Sequence, residues 1–93
     1  MRHALPLLLI LGLGAGAAEA ACYADYKAKR DDPLRLHYGV IEVPEAACSR
    51  GAAAAVIRDR LRDGWQLLDV VSVFGPEGLD QRRERAGPFH LRY

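Results

Sequence analysis

Histidine and cysteine are scarce in this 93-residue chain, at three and two residues. No His-x-x-x-His, Cys-x-x-Cys or Asp-rich calcium loop arranges them into a ligand set, so no metal site and no cofactor is expected. An excess of charge is lacking too: thirteen Lys and Arg stand against twelve Asp and Glu. That balance excludes a general nucleic-acid binder, which carries a large basic surplus. No Gly-rich loop is followed by Lys-Ser or Lys-Thr, which removes the usual phosphate cradle, and Gly75-Pro76-Glu77-Gly78 reads as a turn. Long apolar runs are missing everywhere except at the beginning.

There, Met1-Arg2-His3 is a short basic head, Ala4 to Ala18 is apolar around Leu7-Leu8-Leu9-Ile10-Leu11, and Ala18-Glu19-Ala20 has the small-x-small form of a signal-peptidase site. Residues 1–20 are read as a cleaved secretory signal, with the mature protein beginning at Ala21 and residing in the periplasm or outside the cell. A retained membrane anchor is the weaker reading, because a span needs about twenty apolar residues and glycines stand at 12, 14 and 16. A lipoprotein acylated on Cys22 is weaker again, since Glu19 occupies a place that wants a Leu-like residue. No membrane span is expected after cleavage.

Residues 21–93 then form one small domain. Removing Arg2 and Glu19 leaves twelve Lys and Arg against eleven Asp and Glu. A chain this short buries only about 60 % of its unfolded surface and benefits from a covalent constraint. Cys22 and Cys48, in an oxidising compartment, are expected to supply one as a disulfide. Their wide separation argues against a redox-active pair.

Cys22 to Lys29 alternates, with Ala24, Tyr26 and Ala28 on one side and Tyr23, Asp25, Lys27 and Lys29 on the other, as in a strand. Arg30-Asp31-Asp32-Pro33 reads as a turn, and Leu34 to Val43 as a second strand, with a bulge expected at Gly39. Pro44 ends it. Ser49 to Asp63 is the one convincing helix: Ala53, Ala54, Ile57 and Leu61 share an arc, Ser49 is its N-cap and Gly64 its C′ residue. Cys48 falls just before it. Trp65 to Phe74 is apolar on both alternating faces and suits a central strand. Leu79 to Gly87 is expected as a loop with a short helical turn over Leu79 to Arg83, and Phe89 to Tyr93 as a final strand. The string strand, strand, helix, strand, strand predicts an α+β fold: a four-stranded, mainly antiparallel sheet with one helix on one face and one disulfide.

The segments Cys22 to Lys29, Asp31 to Gly39 and Gly64 to Gly75 resemble small uncharacterised secreted proteins of Gram-negative bacteria over nearly the whole mature chain. The helix followed by Gly64-Trp65 and an apolar strand is also similar to short bacterial α+β domains of unknown function. Neither resemblance implies an activity or a catalytic residue.

For nucleophilic or acid–base chemistry the mature chain offers only His37 and His90 as bases, and neither has an evident partner in sequence. Each is read as a side chain on the wetter face of a sheet. Asp31 and Asp32 are read as turn formers and Asp59 and Asp63 as part of a solvated helix side. The basic group Arg82, Arg83, Arg85, His90 and Arg92, flanked by Phe89 and Tyr93, is the candidate for holding an anion or an acidic partner surface. The expected function is a non-catalytic periplasmic binding or interaction module that meets an unidentified protein partner of the cell envelope through the Gly75 to Gly87 loop or an exposed sheet face. An inhibitor of an envelope-directed hydrolase and a small enzyme using His37 or His90 are the alternatives.

Overall fold

The computed structural model describes residues 21–92. The leader reading and Tyr93 lie outside the described residues. Strand β1 (Cys22–Arg30) and strand β2 (Arg35–Val43) form the expected hairpin, closed by residues 31–34 with a cis Asp32–Pro33 bond. A short 3₁₀ turn, Glu45–Ala47, leads to helix α1 (Arg50–Arg60). Strand β3 (Gln66–Phe74) follows, then a 3₁₀ turn at Pro76–Gly78, helix α2 (Asp80–Ala86) and a last 3₁₀ turn at Gly87–Phe89. The fold is α+β with an antiparallel sheet ordered β2-β1-β3.

The alternation in β1 is the origin of the core. Ala24, Tyr26 and Ala28 are fully buried and meet Ile41, Val43 and Val70 of the flanking strands and Ala53 and Ile57 of α1. Small side chains at 24, 28 and 53 let the helix lie close to the sheet. Ser49 caps α1 as its spacing predicts, its hydroxyl accepting the Ala52 N–H at 3.2 Å. Just ahead of it, Cys48 is bonded to Cys22, with Cα atoms 5.9 Å apart. The first residue of β1 is thereby tied to the start of α1.

Five expectations are corrected. First, the pairing of β1 with β2 runs without a register shift, so Gly39 makes no bulge. It lies opposite Tyr26, and a Cβ there would come within 2.6 Å of the tyrosine ring and hydroxyl. Glycine is required by the ring. Gly39→Ala must therefore displace a fully buried Tyr26, and an overpacking cost of about 1–3 kcal/mol is expected in urea unfolding. A loss under about 0.5 kcal/mol would show that the ring has room to move.

Second, α1 ends at Arg60, and Gly64 is not its cap. Asp63 (φ 59°) and Gly64 (φ 84°) are the two central residues of a tight turn in which the Trp65 N–H bonds the Arg62 carbonyl at 3.1 Å. Third, β3 is an edge strand and β1 the central one. Fourth, the segment expected as a final strand pairs through a single parallel bridge, Val40 with His90, and a Leu91 N–H bond of 2.7 Å to the Val40 carbonyl. Gly87 at φ 54° and Pro88 start a 3₁₀ turn there, which takes Phe89 out of register with the sheet. Fifth, the helical turn near Leu79 is a true helix, α2, and its Arg82 reaches the sheet face opposite α1, through Asp25.

Candidate functional site

The basic group read from the sequence is not one cluster. Arg82 turns inward: its Nε donates to the Asp25 carboxylate at 3.1 Å, its Nη1 to the Gly78 carbonyl at 2.7 Å, and its guanidinium lies 3.9 Å from the Phe74 ring centre. Arg83 pairs with Asp80 at 3.0 Å on the surface. Arg85 lies over Tyr38, 4.3 Å from the ring centre. Arg92 is carried by the terminal segment to a hollow beside Phe89, Pro88 and Trp65. His90 is held near Val40 by the bridge, with a buried Nδ1 that has no hydrogen-bond partner among the described residues. Arg82 and Arg85 thus serve the fold, while Arg83 and Arg92 face solvent.

The centre that the pattern missed is Asp25, the buried charged residue of the core. It accepts hydrogen bonds from Tyr38 Oη and Ser72 Oγ, each at 2.7 Å, besides the one from Arg82. Burial pushes its pKa up, but the bonds from Ser72, Tyr38 and Arg82 and the charge of Arg82 outweigh that and leave it below 3.8. Tyr38 is pushed up to about 12, first by burial and then by its bond to the Asp25 carboxylate. Ultraviolet-difference titration of the folded protein should therefore show a component, removed by Tyr38→Phe, that ionises well above pH 10 and is absent from the unfolded chain. Because the unfolded phenol ionises first, Tyr38 lowers stability from about pH 10 upward until its folded value is passed. A titration curve that Tyr38→Phe leaves unchanged above pH 10 would contradict the bond.

His37 is not on a wet face. Its ring stacks on Phe89, with centres 3.7 Å apart and planes 6° apart, and meets Trp65 edge-on at 4.3 Å. Its Nε2 lies 3.1 Å from Tyr26 Oη, and its Nδ1 is buried with no hydrogen-bond partner among the described residues. Burial, and next the charge of Arg30, lower its pKa below 6.5, so the ring is neutral at pH 7. Asp63 lines the same hollow, yet no carboxylate hydrogen-bonds either histidine among the described residues. No group of three or more His, Cys, Asp or Glu among the described residues is arranged to hold a metal ion.

What the fold leaves open is the outer side of β3. Nine residues long, this strand hydrogen-bonds β1 on one side and no strand among the described residues on the other, and Leu68 (53 % exposed) and Val71 (38 %) stand out from it. Bulges against β1 after Asp25 and after Lys27 leave Val71 and Leu68 outside the register. Between this strand and α1 runs a groove of about 330 Å³, lined on the helix by Arg50, Gly51, Ala54 and Arg58 and on the strand by residues 67–70. It continues past Arg58 into a second hollow of about 290 Å³, bounded by Leu61, Trp65, Gln66 and Leu67. Arg50 spans the rim, with Nε donating to the Val70 carbonyl at 3.2 Å and a loose 3.9 Å contact to Asp69. No helix among the described residues is long and apolar enough to cross a membrane. No protein family, curated protein or solved structure matches the chain.

Proposed function

We propose that the mature chain is a non-catalytic binding or interaction module of the periplasm, working through the open edge of β3 and the groove beside it. The observation that carries this reading is the combination, on one strand, of a nine-residue edge that no other strand pairs among the described residues and two exposed apolar side chains, Leu68 and Val71. Soluble proteins usually blunt such edges with lysine, proline, bulges or a covering element. Here β3 carries two bulges but neither lysine nor proline, and its one charged side chain is Asp69. The Gly75 to Gly87 region becomes a supporting element in this reading, since Arg82 and Arg85 are engaged with the sheet.

A photo-crosslinking residue at Val71, in the full chain exported with its leader, tests the proposal. A defined adduct with an envelope protein is expected, and none from the same residue placed at Glu45, which lies exposed on the connection from β2 to α1. Equal adduct patterns at the two positions, or none at either, would remove the β3 edge as the working surface.

A further inference from the structure

We infer that the groove between α1 and β3 takes an extended, acidic peptide segment of a partner protein, added to β3 as a fourth strand. This deepens the reading of the chain as a binding module and rests on it. Three features converge. The outer edge of β3 pairs with no other strand among the described residues and offers backbone N–H and C=O groups, the Val70 carbonyl being held by Arg50 Nε, and such an edge is the recognition chemistry of strand addition. Residues 66–70 border the groove and its continuation, a length of roughly 17 Å, room for about five extended residues.

The floor is also bare where the fold does not require it. Gly51 has no neighbour within 4 Å of a Cβ built on it and no positive φ, so neither space nor backbone conformation calls for glycine. With Ala54 beside it, α1 presents almost no side chain there, and an incoming backbone can lie close to the helix. The rim selects the sign of charge. Arg50 holds Asp69 only at 3.9 Å with both side chains about two-thirds exposed, and Arg58 has no ion pair among the described residues. Two guanidinium groups on one helix stripe, four residues beyond each side of Ala54, stand about 12 Å apart along the helix axis, which suits carboxylates four residues apart on one face of a strand.

The same charges disfavour a second copy. Antiparallel pairing of β3 with β3 keeps both helices on one face of the joined sheet, which would bring Arg50 and Arg58 of one copy against those of the other.

The test uses the oxidised mature protein and a capped octapeptide alternating valine with glutamate, with its valine–lysine counterpart as control. In nuclear magnetic resonance titration the glutamate peptide should shift the amides of residues 66–74 and of α1, and the lysine peptide should not. Arg58→Glu should weaken binding at least tenfold. Gly51→Leu should abolish it while leaving the melting temperature unchanged or raised, which separates a filled groove from a broken fold. Equal binding by Gly51→Leu, or equal binding of both peptides, overturns the inference. So does a free protein that sediments as a dimer and becomes monomeric on Val71→Lys, since the edge would then belong to a second copy. If the peptide fails while Val71 still cross-links to a specific partner, only the acidic-strand chemistry falls and the module reading stands.

Discussion

Asp25→Ala is expected to destabilise the domain by about 3–5 kcal/mol, the usual cost of removing one member of a buried ion pair. The Asp25 side chain is 3 % exposed and that of Arg82 19 %, so the guanidinium would lose its carboxylate in a place where water can only partly replace it. Two further donors lose their acceptor at once, the hydroxyls of Tyr38 and Ser72. A small domain carries on the order of 5 kcal/mol in total, so the variant should sit near its unfolding midpoint in water. Asp25→Asn separates charge from shape. It keeps an oxygen for one hydroxyl and is expected to lose about 2 kcal/mol, within the range for hydrogen bonds that involve a charged group. Both are read from urea unfolding, and a loss below about 1 kcal/mol for the alanine variant would mean that the pair contributes nothing beyond an exposed one.

The pH dependence carries an independent sign. A folded pKa below the unfolded value of 3.8 means that the Asp25 contribution is complete above that value and is lost as pH falls through the lower, folded one. The wild-type protein should lose stability on the acid side, and Asp25→Ala should lose less there. In the same variant Tyr38 should titrate closer to 10, because its carboxylate acceptor is gone.

Asp25 also marks where sequence reasoning stopped. In the pattern it sits between Tyr23 and Lys27 on the polar side of β1, and nothing local distinguishes it from Lys27 and Lys29. Its partners Ser72 and Arg82 lie 47 and 57 residues further along, in elements that alternation cannot bring together. The helix N-cap at Ser49, the Cys22–Cys48 bond and the Ala24-Tyr26-Ala28 face were legible because each rests on near neighbours or on the only possible pairing. Phe89 misled for the opposite reason: β propensity is a statement about packing surfaces, and its ring packs on His37 and Trp65 after a turn forced by Gly87 and Pro88.

The misplacement of β3 bears most on function. Apolar residues on both faces suggest a strand covered on both sides and paired along both edges. The structure covers Val70 and leaves Leu68 and Val71 exposed. Sequence placed these residues in a central strand, and a partner strand at the open edge would make β3 one. The basic group near the C-terminus, chosen for its arginines, is largely consumed by Asp25, Tyr38 and Asp80.

Removal of the disulfide has the second large expected effect. Closing a loop between residues 26 apart restricts the unfolded chain by about 3.5 kcal/mol in the chain-entropy description, comparable to the whole stability of a domain this size. The bond also has a local consequence that entropy alone does not capture. Cys22 is buried at the start of β1, whereas Cys48 is exposed, just before the Ser49 cap of α1. Cutting it releases the entry to the helix that builds one wall of the groove, while the β1–β2 hairpin and the Asp25 network keep their own contacts. Cys22→Ser/Cys48→Ser, or the reduced protein, should therefore show an unfolding free energy from urea titration lowered by about 3 kcal/mol and faster amide exchange first in residues 45–54. Uniform loss of protection across α1 and β1 would indicate that the bond holds the whole domain and not the helix entry. Stability unchanged on reduction would show that the core alone suffices, against the expectation for a chain that buries so little apolar surface.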